Sequence, residues 1–417
     1  MNTTDKPLLV LGAGIAGITA ALEAAEAGGE VLLVEREPYL GGRVARNHLY
    51  FPKLCPPLCG LEINLQRLQR NPRIRVLTST SLVAAERSGS GWRVVLESRP
   101  AWIRDNCTAC GECARVCQTT VPDPFNLGMN QVKAVRLPHA AAWPHRYILD
   151  HDACSPEELE AIRRACPVDA VDLQAQPTRQ ELEVTAVIVA TGWQPYSPAR
   201  LDNLGAGQLP DVISNVQMER MAAPGGPTDG HIKRLSDGQP PQRVAFVQCA
   251  GSRDVNHLPY CSGVCCLASL KQALYVKEQL PDCQVDIYYI DRRALGRNED
   301  VLTRVEATEG VRLVKGKVGE IKPAADGKLS LRLEDVEAGR LVDASADLVV
   351  LATGMVPNLA VDGLPLEIPL DDDGFARDDE SARIFAAGVA RRPEEVAAST
   401  RDATGAAAKA LVAARRA

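Results

Sequence analysis

The chain opens on a short uninterrupted apolar run, Leu8 to Leu11. A glycine-punctuated turn follows, then helical spacing of apolar positions through AALEAAEAG and a second apolar run in EVLLVER. Short apolar runs bounded by turn signals fit strands buried on both faces of a parallel sheet. The stretch to Arg36 therefore predicts strand–turn–helix–strand. A run of the same kind, Val244 to Val247, precedes helical spacing at Val264, Leu267, Leu270 and Leu274, and another spans Val285 to Ile290. Two further runs, AVIVATG and LVVLATG, both end on Ala-Thr-Gly, at Gly192 and Gly354. Strand runs alternating with helical spacing predict an α/β fold. No uncharged apolar run has the length of a bilayer span. The best, Leu8 to Leu22, is interrupted by glycine and ends at Glu23.

Length and charge narrow the class. A chain of 417 residues predicts two to three domains. A net charge of −6 argues against a nucleic-acid surface. Polar and acidic residues precede the first strand, so no signal peptide is expected, and the protein is expected to be soluble. The 13 cysteines are clustered, which fits metal chemistry in a reducing compartment. No internal repeat stands out, and the only compositional bias is an Ala-rich C-terminal helix.

Gly12, Gly14 and Gly17 form G-x-G-x-x-G directly after the first run and at the helix start. Glycines there permit a tight turn and bring backbone close to a pyrophosphate seated on the positive helix terminus. Glu35 ends the second run about 20 residues on, where an acidic side chain takes a ribose hydroxyl pair. The full strand–helix–strand context makes this a dinucleotide site rather than a tight turn alone.

After Glu35-Arg36 the chain reads PYLGGRV, with Gly41, Gly42 and Arg43. This resembles the E-x5-G-G-R segment of the two-dinucleotide-binding-domain flavoprotein superfamily. The two Ala-Thr-Gly ends resemble its paired domain crossovers, and IFAAG at Ile384 to Gly388 resembles its strand–glycine turn beneath the ribityl chain. Where that superfamily continues with Asp, this chain has Val389. The resemblance implies FAD, held by Gly12, Gly14, Gly17, Glu35, Arg36, Gly42, Arg43, Leu82, Thr191, Gly192, Gly388 and Val389.

The second dinucleotide-type unit should carry a second glycine fingerprint after Val244–Val247. It carries Cys249, Cys261, Cys265 and Cys266 instead. Soft thiolates select iron–sulfur clusters or zinc, and the paired C-x2-C knuckles of structural zinc sites are missing here. Adjacent cysteines point apart on a regular helix, so spacing alone justifies three ligands. Cys265 and Cys266 also read as small core residues.

From Ala101 to about Gln180 the composition changes, as in an insertion. Its run Cys107, Cys110, Cys113, Cys117 has the C-x2-C-x2-C-x3-C spacing of [4Fe–4S] ligation. In two-cluster ferredoxins the fourth cysteine serves the other cluster, so the first three need a remote partner. Cys166, followed by Pro167, supplies one. The places three and six after Cys154 hold Glu157 and Glu160, so a single cluster is expected, with Cys117 and Cys154 facing each other in the vacated site. A local quartet closed by Cys117 is the alternative. Cys55 and Cys59 follow the flavin motif as C-x3-C with two prolines inside. They form either a redox dithiol or a stiff wall near the flavin. No catalytic residue beyond the flavin is expected otherwise.

CAGSRD, YCSGVCC and YIDRRALG resemble the flavin-bearing A subunit of heterodisulfide reductases. FPKLCPPLCGLEI and the compact length resemble more closely the A subunit of the quinone-interacting membrane-bound oxidoreductase complex. The methanogen-type A subunits have extra cluster domains at their ends, which this chain is expected to lack. The resemblance spans nearly the whole chain. It implies that Cys249, Cys261, Cys265 and Cys266 hold a [4Fe–4S] cluster near the flavin, the second of two. It implies a thioredoxin-reductase-like, two-dinucleotide-binding-domain flavoprotein with an inserted ferredoxin-like module. The expected parts are an FAD domain (1–100, 181–198 and 357–417), the insertion (101–180) and a degenerate NAD-type domain (199–356). The implied function is electron transfer between the quinone pool and adenylylsulfate reductase in dissimilatory sulfur metabolism. The partners would be adenylylsulfate reductase, a membrane cytochrome and a sister flavin/iron–sulfur subunit, with a homodimer contact and no nucleic acid. The place would be the cytoplasm, attached to the inner membrane through a partner. The rival readings are a stand-alone NAD(P)H-dependent disulfide reductase, a scaffold with a structural flavin, and the flavin subunit of a heterodisulfide-reductase-like complex.

Overall fold

Leu8–Leu11 and Val31–Val34 are strands with every residue buried, because both faces of their sheet are covered. The computed structural model describes residues 6–51, 53–337 and 339–415. The first sheet is wholly parallel, in the order Ile384–Ala386, Val187–Val189, Leu8–Leu11, Val31–Val34, Ile74–Leu77. Helices Ile15–Glu26 and Val396–Arg415 pack on one face through small residues, including Ala21, Ala24, Ala403, Ala407 and Ala410. An antiparallel sheet of Thr80–Ser88, Gly91–Ser98 and Thr178–Val184 covers the other face. There Leu82, Val94 and Leu96 join Leu9, Leu32 and Val189.

The second sheet has seven strands, in the order Val212–Ser214, Leu348–Thr353, Arg243–Ala250, Gln284–Tyr289, Val311–Pro323, Leu329–Asp335, Arg340–Ala346. The first five run parallel, and the last two pairings are antiparallel. The strand expected at Val244–Val247 thus extends to Ala250, and its helix begins at Cys265, leaving Val264 as the cap. The two Ala-Thr-Gly ends lead into one small ribbon, Trp193–Pro195 paired with Met355–Pro357. Both passages between the units therefore lie side by side. The expected α/β, thioredoxin-reductase-like architecture is the one observed.

The insertion leaves after Ser98 and returns at Thr178, which are direct partners across the antiparallel ladder. Its two ends are adjacent, so it leaves the host sheet intact. It holds two short ribbons and the helices Glu112–Val116 and Pro156–Ala165 around Ile103, Val135, Leu149, Leu159 and Ile162. One arginine ties the parts together. Arg220, on the second unit, donates to Asn126 Oδ1 at 2.8 Å and to the Arg46 carbonyl at 3.0 Å, and stands over the Phe125 ring.

His139 stacks on the other side of this joint, 4.5 Å from Phe125, and its Nε2 has no hydrogen-bond partner. Burial, with Arg220 and Arg46 nearby, pushes its pKa down from 6.5 to about 4. The unfolded chain binds this proton first, so stability falls as pH drops from 6.5 toward 4, by about 3 kcal/mol in full. The thermal midpoint is expected to fall between pH 7 and pH 5, and less so in His139→Phe. An equal fall in the variant would assign the loss to other groups.

Candidate cofactor sites

A cavity of about 590 Å³ opens where the first sheet meets its crossovers. Gly12, Gly14, Glu35, Arg36, Gly42, Arg43, Leu82, Thr191, Gly192 and Val389 line it. Gly17 and Gly388 do not, and their hydrogen side chains serve packing. A Cβ on Gly17 would lie 1.7 Å from the Gly12 carbonyl oxygen, and one on Gly388 would lie 2.7 Å from Ala16 Cβ. The Gly388 amide donates to Asp402 at 2.9 Å. Gly14 differs from both: a Cβ there meets nothing nearer than Gly42 Cα at 3.9 Å.

Glu35 is 8% exposed and accepts from the Ala13 amide at 2.7 Å and the Glu37 amide at 2.9 Å. Burial nonetheless raises its pKa. Arg36 pairs with Asp362. Arg43 donates to the Trp193 carbonyl at 3.1 Å, and burial lowers its pKa only to about 10, so it stays charged. Sequence reasoning passed over Tyr39, Arg46, Trp193, Asn358 and Asp362, which also line the cavity. They come from segments without a motif, and only folding brings them in.

The cavity fits a flavin dinucleotide on two observations. Thr191 Oγ1 and Asn358 Oδ1 are buried without a partner in its wall, and such atoms ordinarily have one. Arg36, Arg43 and Arg46 supply positive charge around it, which suits a pyrophosphate.

In the insertion, Cys107, Cys110, Cys113 and Cys166 line one small pocket with Tyr147 and Gly111. Left-handed backbone at Ala109 and Gly111 curls the loop. The Ala109 amide donates to Cys107 Sγ at 3.4 Å and the Ala170 amide to Cys166 Sγ at 3.2 Å. Burial pushes the Cys113 thiol up to about 11, with Cys107 and Cys166 adding to the effect. Cys117 stands elsewhere. It is fully buried, and its sulfur lies within 4.8 Å of ligand atoms of Cys154 and Glu158.

The other four cysteines stand about the carboxyl end of Arg243–Ala250, the middle one of the five parallel strands of the second sheet, where open α/β sheets take ligands. Cys249 has φ +55° at a register shift between Val247 and Ala250. Cys265 and Cys266 begin the helix, and their sulfurs donate to the carbonyls of Thr353 and Asp291 at 3.7 and 3.3 Å, at the end of one flanking strand and just past the other. Burial raises the Cys249, Cys265 and Cys266 thiols, and Cys261 adds to each shift. Cys261 therefore stands near enough to act electrostatically on all three. The Gly263 amide donates to Cys261 Sγ at 3.4 Å.

The loop between Ala250 and Cys265 is packed. Ser262 Oγ accepts from the Met355 amide at 2.9 Å, and Tyr260 donates to the Met355 carbonyl at 2.7 Å. Tyr260 and Val264 then join Trp193, Met355, Phe375 and Val389 in one apolar cluster. Trp193 and Val389 line the cavity, while Tyr260 and Val264 are chain neighbours of Cys261 and Cys265. This gives a physical reason for Val389, since a carboxylate there would be buried among apolar side chains.

Cys55 is half-buried, Cys59 is exposed, and neither is among the residues lining the cavity. The Cys55 carbonyl accepts from the Tyr50 amide, and Cys59 lies in the helix Leu58–Arg70. Nearby Leu49 and Leu54 pack against the second unit instead.

Residues 7–54 match the family of FAD dependent oxidoreductases. Curated relatives include heterodisulfide reductase A subunits. The chain is 36% identical over 428 residues to the second iron–sulfur A subunit of CoB–CoM heterodisulfide reductase from Methanopyrus kandleri, covering 99% of this chain and 65% of that one. It is 34% identical to the A subunit of the hydrogen-dependent CoB–CoM heterodisulfide, ferredoxin reductase from Methanothermobacter marburgensis, covering 98% and 64%. It thus spans less than two thirds of the length of these relatives. Among solved structures, Lactococcus lactis thioredoxin reductase aligns with a TM-score of 0.54 at 15% identity, covering 99% of this chain and 100% of that one. The thioredoxin reductase of T. acidophilum gives 0.53 at 14%, covering 99% and 98%. These likenesses concern the fold alone. The family match and the reductase relatives support an FAD-dependent oxidoreductase. Among the described residues, no helix is long and apolar enough to cross a membrane.

Proposed function

We propose that this chain is the flavin and iron–sulfur electron-transfer subunit of a heterodisulfide-reductase-like complex. FAD takes the cavity of the first unit, with Glu35 at a ribose and the turn at Gly14 at the pyrophosphate. One [4Fe–4S] cluster takes Cys107, Cys110, Cys113 and Cys166, and a second takes Cys249, Cys261, Cys265 and Cys266. Bound together, a flavin and clusters convert between two-electron and one-electron transfer. The chain's own part is to hold them close and dry. The observation that carries this reading is the apolar cluster joining the cavity wall at Trp193 and Val389 to Tyr260 and Val264 beside the second cysteine set. The relatives support this reading over one tied to the quinone pool.

The quinone-linked reading retains one specific support, the segment FPKLCPPLCGLEI around Cys55 and Cys59. On that reading the partners are adenylylsulfate reductase, a membrane cytochrome and a sister flavin/iron–sulfur subunit, with peripheral attachment to the inner membrane. Affinity isolation of the native complex discriminates: a cytochrome-containing membrane fraction supports it, and a complex without one supports the heterodisulfide-type reading. For the cofactors, an anaerobic iron and flavin count with EPR of the reduced protein is expected to give one FAD and two [4Fe–4S] signals. Iron near four per chain would overturn the two-cluster reading.

NADH and NADPH are not expected to reduce the flavin at a useful rate. Cys249-Ala-Gly-Ser stands in place of the phosphate turn, and Ser252 and Ser262 crowd Gly354, where a Cβ would lie 2.3 and 2.6 Å from their hydroxyls. Stopped-flow bleaching is expected to be slower than about 1 per second, the low edge of ordinary turnover. Faster bleaching would restore the stand-alone reductase.

A further inference from the structure

The helix Pro156–Ala165 starts from the cap Ser155, whose side chain accepts from the Glu158 amide. It thereby brings Glu158 against Cys117 and Cys154. One ligand atom from each of the three residues lies within 4.8 Å of the others. The carboxylate is fixed from behind. Its Oε1 accepts from the Gln118 and Thr119 amides at 2.5 and 2.8 Å, and its Oε2 from the Thr119 hydroxyl at 2.5 Å. Cys117 is 0% exposed, and its thiol donates to the Thr119 carbonyl at 3.4 Å.

We propose that Cys117, Cys154 and Glu158 form a mononuclear site for a divalent metal ion, zinc by preference, separate from both cluster sites. The proposal rests on the reading that Cys166, and not Cys117, completes the first cysteine set. Three protein ligands match the ligand count of an open zinc site. Four-iron clusters need four ligands, and this corner offers three. Two thiolates select zinc over magnesium or calcium. Ionised together, two thiolates and a carboxylate at these separations repel one another unless a cation lies between them. The amides of Gln118 and Thr119 and the Thr119 hydroxyl aim the carboxylate as outer partners aim metal ligands elsewhere. On binding, the Cys117 and Cys154 thiols lose their protons to solvent.

Elemental analysis of the full chain purified anaerobically, with iron, zinc and flavin counted on one sample, tests this. The chain as isolated, or after chelator treatment and titration with zinc alone, is expected to hold about one tightly bound zinc beyond the cluster iron. Cys154→Ser is expected to abolish that zinc while iron and flavin stay unchanged. Glu158→Gln, which keeps the shape, is expected to weaken zinc binding by about tenfold or more, as loss of a charged ligand does. No zinc uptake, equal zinc in Cys154→Ser, or a Cys117–Cys154 disulfide in the anaerobic protein would overturn the site. Iron lost with Cys117→Ser but kept in Cys166→Ser would overturn the ligand reading beneath it, and the site with it. Zinc absent while Cys166→Ser alone loses iron would overturn the site and leave that ligand reading standing.

Discussion

Replacing Cys166 with alanine is expected to strip the cluster of the insertion or convert it to a three-iron form, whereas Cys117→Ala is expected to leave it whole. Cys107, Cys110 and Cys113 come from one curled loop and leave one corner of a cube to be met by another segment. The segment that meets it in the fold is the end of the helix Pro156–Ala165, at Cys166. Pro167 follows, where the absent amide and fixed φ turn the chain off the helix. Cys117 closes the helix Glu112–Val116 and keeps company with Cys154 and Glu158 instead. Iron is expected to fall by about four per chain if the cube is lost, or by about one if it survives with three irons. The EPR signal of the Cys249–Cys266 cluster serves as the internal control. An intact four-iron signal from the insertion in Cys166→Ala would reverse the assignment in favour of the local quartet.

Gly14→Val is expected to produce a folded protein that has lost FAD, and Gly17→Ala one that has lost stability. The distinction follows from what a side chain would meet. At Gly14 the backbone has φ −73°, which any residue adopts, and a Cβ finds open space on the cavity side. The space is where a pyrophosphate must approach, so two methyl groups compete with the ligand rather than with the fold. At Gly17 a Cβ would sit 1.7 Å from the Gly12 carbonyl oxygen, so helix and strand must separate. Gly14→Val is therefore expected to weaken FAD by tenfold or more, about 1.4 kcal/mol per decade, with cluster iron retained. The expected cost of Gly17→Ala is about 1–3 kcal/mol, the usual penalty for overpacking. Flavin-to-iron ratio and thermal midpoint read the two effects apart. Stoichiometric FAD in Gly14→Val would place the nucleotide elsewhere.

The amino-acid sequence alone determined what is written locally. Uninterrupted apolar runs marked the buried parallel strands, because a strand covered on both faces needs no polar alternation. The turn at Gly12–Gly17 was legible because backbone approach to a phosphate needs glycine at fixed steps. The matching Ala-Thr-Gly ends announced the two crossovers, which the fold pairs in one ribbon. Cysteine spacing marked the loop at Cys107–Cys113, since three ligands of one cube must lie close along the chain.

Only the tertiary structure decided how remote segments meet. Side-chain spacing could not say where adjacent Cys265 and Cys266 point; at the helix start their sulfurs reach the carbonyls of Thr353 and Asp291, at or just past the ends of the two flanking strands. Sequence offsets from Cys154 showed only that the cysteines of a second cluster are missing; the helix phase set by the Ser155 cap is what brings Glu158 to Cys117 and Cys154. Val389 read as a missing carboxylate until packing placed it between the cavity and the cysteine loop. Asn358 and Asp362 carry no motif, and they reach the cavity because the second crossover returns the chain to the first unit there. Local periodicity fixes elements, but a site built from separate segments exists only once the sheets have stacked and the chain between them has closed.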